Sequence, residues 1–105
     1  MIVIIDYGVG NLHSIKSALD YLKIENKVSK DIDEILNADG LILPGVGAFG
    51  DAMENLTNTG LIPTIRKFVE SGKKLLGICL GAQLLYEKSF ELGEYEGLGF
   101  IKGEV

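Results

Sequence analysis

Three short apolar runs are the feature that most constrains the fold. Residues 2–5, 40–43 and 74–78 consist mostly of Ile, Val and Leu, without the polar alternation of a half-exposed strand. Such runs are typical of strands that are buried on both faces of a parallel sheet. Segments of helical periodicity separate them, and strands that alternate with helices are joined by right-handed crossovers. The sequence therefore predicts an α/β fold, a doubly wound and mainly parallel sheet with the flavodoxin-like order 2-1-3-4.

Capping residues and local polarity indicate where the remaining helices and strands lie. Asn11 can cap a first helix, and Ser29 or Asp31 can cap a short helix over residues 31–36. Residues 25–29 form a weaker strand whose polar content suggests a sheet edge. Residues 83–88 are predicted to form the helix that follows the third apolar run. The apolar stripe of the first helix is expected to pack on the sheet and consists of Leu12, Ile15, Ala18, Leu19 and Leu22.

The only cysteine lies between two glycines, in the segment Gly77-Ile78-Cys79-Leu80-Gly81. It follows an apolar run and precedes a helical pattern, as in a nucleophile elbow, where a strand passes directly into a helix on a strained backbone. A lone cysteine in an apolar run is usually an inert core residue. Flanking glycines would only weaken a core strand, whereas they relieve the crowding of an elbow. We therefore interpret Cys79 as a nucleophile, and we expect helix N–H groups to point at its sulfur.

The loop of residues 44–50 is the richest turn in the chain and follows the third predicted strand. Because the carboxyl ends of parallel strands share one edge of a sheet, we expect this loop to meet Cys79 there. Its glycines also match the G-x-G-x-x-G pattern of dinucleotide sites. That pattern belongs to the first strand-to-helix turn of a βαβ unit, so we do not interpret the loop as a nucleotide site.

Composition and charge exclude several classes of function. The net charge of −5 comes without any basic cluster, which argues against a nucleic-acid partner. One Cys and one His at distant positions offer no metal site, and we expect no cofactor. His13 is predicted to lie on the solvated face of the first helix, where it is a poor candidate for a catalytic base. No run is long enough for a membrane span, and the single cysteine agrees with a cytoplasmic location.

Together these motifs resemble the class I glutamine amidotransferases, and in particular the glutaminase subunits of imidazole glycerol phosphate synthase. The likeness extends over the whole chain and rests on residues 6–12, residues 44–47, and residues 77–81 with Gln83. It implies that Cys79 attacks the carboxamide of glutamine, releases ammonia and leaves a thioester that water hydrolyses. It also implies a partner, the cyclase subunit of that synthase, which uses the ammonia in histidine biosynthesis.

The resemblance assigns roles to four further residues. The backbone N–H groups of Leu80 and Val46 would bind the oxyanion of the tetrahedral intermediate. Gly47 and Gln83 would help to hold the substrate glutamine. Such backbone donors suit a sulfur surrounded by apolar residues, because they bring no charged side chain into the site.

Residues 1–105 depart from the family pattern in one respect. Family members complete the site with a downstream His-x-Glu segment, and no histidine follows Cys79 here. We therefore expect residues 1–105 to be the amino-terminal part of a single amidotransferase domain, and nearly inactive alone. Three alternatives stay open: a glutaminase that serves a sugar amidotransferase, an elbow-cysteine protein of the intracellular-protease type, and an inert flavodoxin-like fragment. Gln83 and the 44–50 loop favour an amidotransferase over the protease type.

Overall fold

The computed structural model describes residues 1–105 as a central sheet with helices on both faces. Four parallel strands form this sheet in the order β2-β1-β3-β4, which confirms the predicted fold class and strand order. The elements in chain order are β1 (Ile2–Ile5), α1 (Leu12–Tyr21), β2 (Asn26–Ser29), α2 (Ile32–Asn37), β3 (Gly40–Leu43), α3 (Phe49–Thr59), α4 (Ile62–Glu70), β4 (Lys74–Gly77), α5 (Leu80–Leu84), β5 (Tyr86–Ser89), β6 (Tyr95–Glu96) and β7 (Ile101–Glu104).

One face of the sheet carries the main hydrophobic core. Alternate residues of β1 and β3, such as Val3, Ile5 and Leu43, belong to one buried cluster. Helices α2, α3, α4 and α5 contribute the other side of that cluster, with Phe49 and Phe68 among its largest side chains. Because side chains alternate between the two faces of a strand, this leaves Ile4 and Ile42 to the opposite face.

Helix α1 covers that opposite face only in part. None of its residues is buried, although its apolar stripe was predicted to pack on the sheet. Two apolar cavities of about 440 and 270 Å³ adjoin at Leu19, Ile42 and Leu76. We call this surface the α1 groove. Leu76 is 57% exposed there because β4 is the edge strand of the sheet and a single helix does not reach it.

The segment after Cys79 differs from its predicted structure. Residues 83–88 were predicted to form a helix, but α5 ends at Leu84 and Tyr86 begins a strand. That strand, β5, pairs in parallel with β7 and antiparallel with β6 to form a second, three-stranded sheet. The paired residues lie up to 16 positions apart along the chain, as in the pair Lys88 and Glu104. Local periodicity carries no information about such partners.

Capping side chains and helix breakers mark the ends of several helices. The side chain of Asn11 accepts a hydrogen bond from Ser14 N–H at 3.2 Å, and that of Asp31 accepts from Glu34 N–H at 3.0 Å. Gly60 ends α3 with a left-handed φ of 73°, and Pro63 lies in the first turn of α4. None of the helices combines the length and the apolar character that a bilayer crossing needs.

Glu34 links α2 to strand β2 and gives the protein an acid-sensitive contact. Its carboxylate accepts a hydrogen bond from Ser29 Oγ at 2.8 Å and pairs with the ammonium of Lys27. The hydrogen bond from Lys27 is the largest cause that lowers the pKa of Glu34 below its ordinary value of 4.5. A carboxyl with a lowered folded pKa adds stability that is complete above its unfolded pKa and is lost as the pH falls through its folded pKa.

We expect Glu34→Gln to weaken the acid dependence of stability. Below about pH 4.5 the free energy of unfolding should fall more steeply in the wild type than in the variant, whereas near neutral pH the two curves should run parallel. Urea unfolding at a series of pH values measures this difference. Glu25→Gln, at an exposed position before β2, controls for the change in net charge. Identical slopes for wild type and Glu34→Gln in acid would contradict the expectation.

Candidate active site

Cys79 lies at the turn between β4 and α5. It is the N-cap residue of α5, it is exposed, and its backbone has φ 55° and ψ −125°. A residue with a side chain in this region costs roughly 1–3 kcal/mol and persists only where its surroundings impose it. The strained elbow that the sequence predicts is therefore present, and it presents the sulfur to solvent at the carboxyl edge of the sheet.

The two glycines around Cys79 are required by the packing of this turn. A Cβ added to Gly81 would lie 1.9 Å from the carbonyl oxygen of Leu43. A Cβ added to Gly77 would lie 2.6 Å from the Cα of Ala82. Both distances fall far below van der Waals contact, and both obstacles are backbone atoms. The expected role of the flanking glycines is confirmed, since no other residue type fits at either position without a shift of the main chain.

The 44–47 loop meets the elbow, as the sequence predicts. Ile78 N–H donates to Leu43 O at 3.0 Å, and Leu80 N–H donates to Gly45 O at 3.1 Å. A cavity of about 190 Å³ opens beside the sulfur and is lined by Asn11, Ser14, Ile15, Pro44, Gly45, Val46, Ile78 and Cys79. The turn after β1, the loop after β3 and the elbow after β4 thus converge at one edge of the sheet.

The amide groups around the sulfur are already engaged. Leu80 N–H is bonded to Gly45 O, Gly81 N–H to Ile78 O at 3.0 Å, and Ala82 N–H to Cys79 O at 3.0 Å. The expectation that unpaired N–H groups of α5 point at the sulfur is therefore wrong for this conformation. Helix α5 has only five residues, and its first turn satisfies these donors with nearby carbonyls instead.

The hydrogen bond from Leu80 N–H to Gly45 O also determines where Val46 N–H points. All peptide bonds of the chain are trans, so the C=O of Gly45 and the N–H of Val46 point in opposite directions from their shared peptide plane. With Gly45 O directed at Leu80 N–H, Val46 N–H is directed away from it. The two predicted oxyanion donors are thus neighbours in space, but they do not converge on one point in this conformation.

Gly47 and Gln83 lie outside the small cavity beside Cys79. Gly47 is exposed, has a φ of 92°, and directly precedes Ala48, the N-cap residue of α3. Gln83 is exposed on α5, four residues after Cys79 in the sequence. Neither residue lines the cavity beside the sulfur, so their predicted role in holding glutamine stays a prediction.

Two residues near the loop are missed by the sequence interpretation. Tyr7 is buried beneath the loop and donates a hydrogen bond to Pro44 O at 2.5 Å. Glu91 accepts a hydrogen bond from Phe49 N–H at 3.2 Å and so caps α3. An aromatic ring in a turn of small and polar residues could have indicated Tyr7. The Glu91 contact spans 42 positions and has no local signal.

His13 is exposed on α1, as predicted. The cavity beside the sulfur is lined by its neighbours Asn11 and Ser14 and not by His13 itself. Residues 1–105 therefore place a candidate nucleophile and candidate oxyanion donors together, and no imidazole beside them.

Comparison with known proteins gives three kinds of match. The family model described as "Glutamine amidotransferase class-I" matches residues 3–92. The imidazole glycerol phosphate synthase subunit HisH of Lacticaseibacillus casei is 57% identical over 105 residues, which are 100% of this chain and 50% of that protein. The subunit of the same name from Aquifex aeolicus is 57% identical over 104 residues, 98% of this chain and 50% of that protein. The chain thus spans about half the length of these relatives.

Solved structures agree with this match. A crystal structure of a glutamine amidotransferase superposes with a TM-score of 0.81 and 28% identity, over 99% of this chain and 55% of that one. A putative peptidase E of Listeria monocytogenes superposes with a TM-score of 0.72 over 95% of this chain and 62% of that one. Its identity is only 17%, so this second likeness concerns the fold alone.

Proposed function

Because the chain belongs to the class I glutamine amidotransferases, we propose that residues 1–105 form the nucleophile half of a glutaminase. The proposed reaction releases ammonia from glutamine, and the ammonia supplies the synthesis of imidazole glycerol phosphate in histidine biosynthesis. One observation carries the proposal: Cys79 stands exposed on a strained elbow, directly opposite the Pro44–Gly47 loop. The names of the relatives support the choice of pathway, and they support the cyclase subunit of the synthase as partner.

The chemistry follows from the sulfur. Cys79 Sγ attacks the carboxamide carbon of glutamine, a C–S bond forms, and the carbonyl oxygen becomes an oxyanion. Collapse of this intermediate breaks the C–N bond, the nitrogen takes a proton and leaves as ammonia, and water then hydrolyses the thioester. A base must accept the thiol proton and return it to the leaving nitrogen. We assign that task to the family's His-x-Glu segment, which residues 1–105 do not contain.

The oxyanion would be bound by backbone donors. Leu80 N–H and Val46 N–H are the two candidates, and each such donor contributes a factor of roughly 10²–10³ in kcat in other hydrolases. Leu80 N–H becomes available only when Gly45 O leaves it. Rotation of the Gly45–Val46 peptide would remove that carbonyl and bring Val46 N–H toward the same point. The conformation described above is therefore an idle form of the proposed site.

Glutamine would enter from the open side of the elbow. Gln83 and Gly47 would help to hold it, because the amide groups of Gln83 and of the loop backbone suit a ligand that carries a carboxamide, a carboxylate and an ammonium group. No charged side chain lines the cavity beside the sulfur. Recognition there would depend on neutral donors and acceptors.

We expect residues 1–105 alone to hydrolyse glutamine no faster than a Cys79→Ala variant of the same chain. No imidazole contacts Cys79, and its candidate oxyanion donor Leu80 N–H is occupied by Gly45 O. The full-length protein, assembled with the cyclase subunit, should release ammonia from glutamine at an ordinary enzymatic rate. A coupled glutamate assay measures both samples.

The outcomes of that assay separate the alternatives. Turnover by residues 1–105 that is lost in Cys79→Ala would contradict the expected inactivity of the chain alone. A full-length protein without glutaminase activity in the assembly would overturn the proposed function. Ammonia transfer to a sugar amidotransferase, and not to the cyclase subunit, would contradict the proposed pathway and partner. It would leave the role of Cys79 as the nucleophile unchanged.

A further inference from the structure

Tyr7 buries a phenol hydroxyl beneath the loop that faces Cys79. It comes from the turn after β1, is only 4% exposed, and its ring belongs to the main core. The hydroxyl donates a hydrogen bond to the carbonyl oxygen of Pro44 at 2.5 Å. Burial raises the pKa of Tyr7 well above its ordinary value, so the hydroxyl keeps its proton and remains a donor.

Three successive carbonyls of the loop have different kinds of partner. Leu43 O accepts from Ile78 N–H at the end of the sheet, and Pro44 O accepts from the buried Tyr7 hydroxyl. The next carbonyl, that of Gly45, accepts from Leu80 N–H at 3.1 Å. The first two partners belong to the fixed framework, whereas the third is the amide that an oxyanion would need. The framework therefore holds the loop as far as the Pro44 carbonyl, whereas the Gly45 carbonyl is bonded only to an amide of the site itself.

Close packing on two sides opposes a shift of the whole loop. A Cβ on Gly45 would lie 2.6 Å from Gly81 N and 3.0 Å from the Tyr7 hydroxyl oxygen. On the other side, a Cβ on Gly10 would lie 2.9 Å from the Cβ of Pro44. The turn after β1 and the elbow thus enclose the beginning of the loop. These contacts favour a rotation of the next peptide in place over a translation of the whole loop.

On the basis of the proposed function, we propose that Tyr7 is a positioning residue of the oxyanion site. Its hydroxyl holds the Pro44 carbonyl and thereby confines rotation to the Gly45–Val46 peptide. Val46 N–H then arrives beside Leu80 N–H when the Gly45 carbonyl leaves. Tyr7 does not line the cavity next to Cys79, so it acts through Pro44 and touches neither the sulfur nor glutamine.

The test compares Tyr7→Phe with a matched substitution at an exposed tyrosine. Tyr21→Phe removes the same hydroxyl at a position on α1 that is 86% exposed. Both variants are made in the full-length protein and assembled with the cyclase subunit. We expect Tyr7→Phe to lower kcat for glutamine hydrolysis about tenfold and to leave KM for glutamine within about twofold of wild type, because the lost bond orients the oxyanion donors and does not bind substrate. Tyr21→Phe should leave both parameters unchanged.

A second measurement distinguishes positioning from damage to the fold. Iodoacetamide alkylates a thiol by direct displacement and forms no oxyanion. The alkylation rate of Cys79 should therefore be the same in wild type and Tyr7→Phe, whereas a distorted elbow would change it. Tyr7→Met fills the apolar site without a hydroxyl and provides a second variant if Tyr7→Phe folds poorly. Activities are expressed per mole of folded protein, as determined from the urea unfolding curve of each variant, so that unfolded molecules do not contribute.

The outcomes bear separately on the two proposals. A fall in kcat at constant KM and constant alkylation rate supports the role of Tyr7. An unchanged kcat in a folded variant without the hydroxyl overturns that role and leaves the proposed glutaminase function intact. Equal losses of kcat and alkylation rate would also overturn it, because they indicate a purely structural residue. A wild-type assembly without glutaminase activity would overturn the proposed function and the role of Tyr7 with it.

Discussion

Replacement of Cys79 by alanine is expected to reduce glutamine hydrolysis by the assembled full-length protein by about 10⁴-fold or more. No other side chain at the elbow is nucleophilic, so the thioester route disappears with the sulfur. The side chain is exposed, and alanine suffers the same backbone strain at φ 55°. The free energy of unfolding should therefore change by less than about 0.5 kcal/mol.

Cys79→Gly is the control that separates strain from chemistry. Glycine adopts the left-handed region without the steric cost, although it loses more conformational freedom on folding. We expect this variant to be as inactive as Cys79→Ala and more stable than it by about 1 kcal/mol. Steady-state kinetics and urea unfolding of both variants give the comparison. Residual turnover near the wild-type rate in either variant would show that another group is the nucleophile.

Gly81→Ala is expected to be the most damaging substitution for the fold. Its Cβ would lie 1.9 Å from Leu43 O and 3.0 Å from the backbone carbon of Pro44. The obstacle is the last carbonyl of β3, which cannot move without breaking its bond to Ile78 N–H. We expect a loss of at least about 3 kcal/mol in the free energy of unfolding, or failure to fold.

Gly40→Ala provides the matched control for this loss. Gly40 is also buried, in β3, but the nearest atom to its added Cβ is the terminal methyl carbon of Ile2 at 3.0 Å. A flexible side-chain end can move aside, so the cost should stay below about 1 kcal/mol. Thermal and urea unfolding of the two variants in parallel measure the difference. Similar stabilities for both would contradict the steric requirement for glycine at position 81.

The sequence predicts those features whose cause is local or follows from general topology. Runs such as residues 2–5 indicate buried parallel strands, and their alternation with helices indicates the flavodoxin-like class, whose strand order 2-1-3-4 is the one observed. The glycines on either side of Cys79 are informative because a Cβ there meets backbone at 1.9 to 2.6 Å. A steric requirement of that size restricts both positions to glycine, and this restriction is visible in the sequence.

The remaining features depend on contacts that sequence patterns do not contain. Strand β5 exists because residues 95–104 return to pair with it, so the apolar pattern around Leu84 and Leu85 is misleading. The bond from Leu80 N–H to Gly45 O depends on the orientation of a single peptide, which no residue type determines. The family resemblance identifies the possible donors for an oxyanion. It does not indicate whether they are free.

The α1 groove has a consequence for how residues 1–105 behave in concentrated solution. Leu76 and the unpaired edge of β4 offer a neighbouring molecule both apolar surface and backbone hydrogen-bonding groups. Contact of this kind is driven near room temperature mainly by the release of hydration water, and this driving force grows on warming. Self-association of the chain would therefore increase with heat well below its melting point, and samples kept cold and dilute would stay monodisperse the longest.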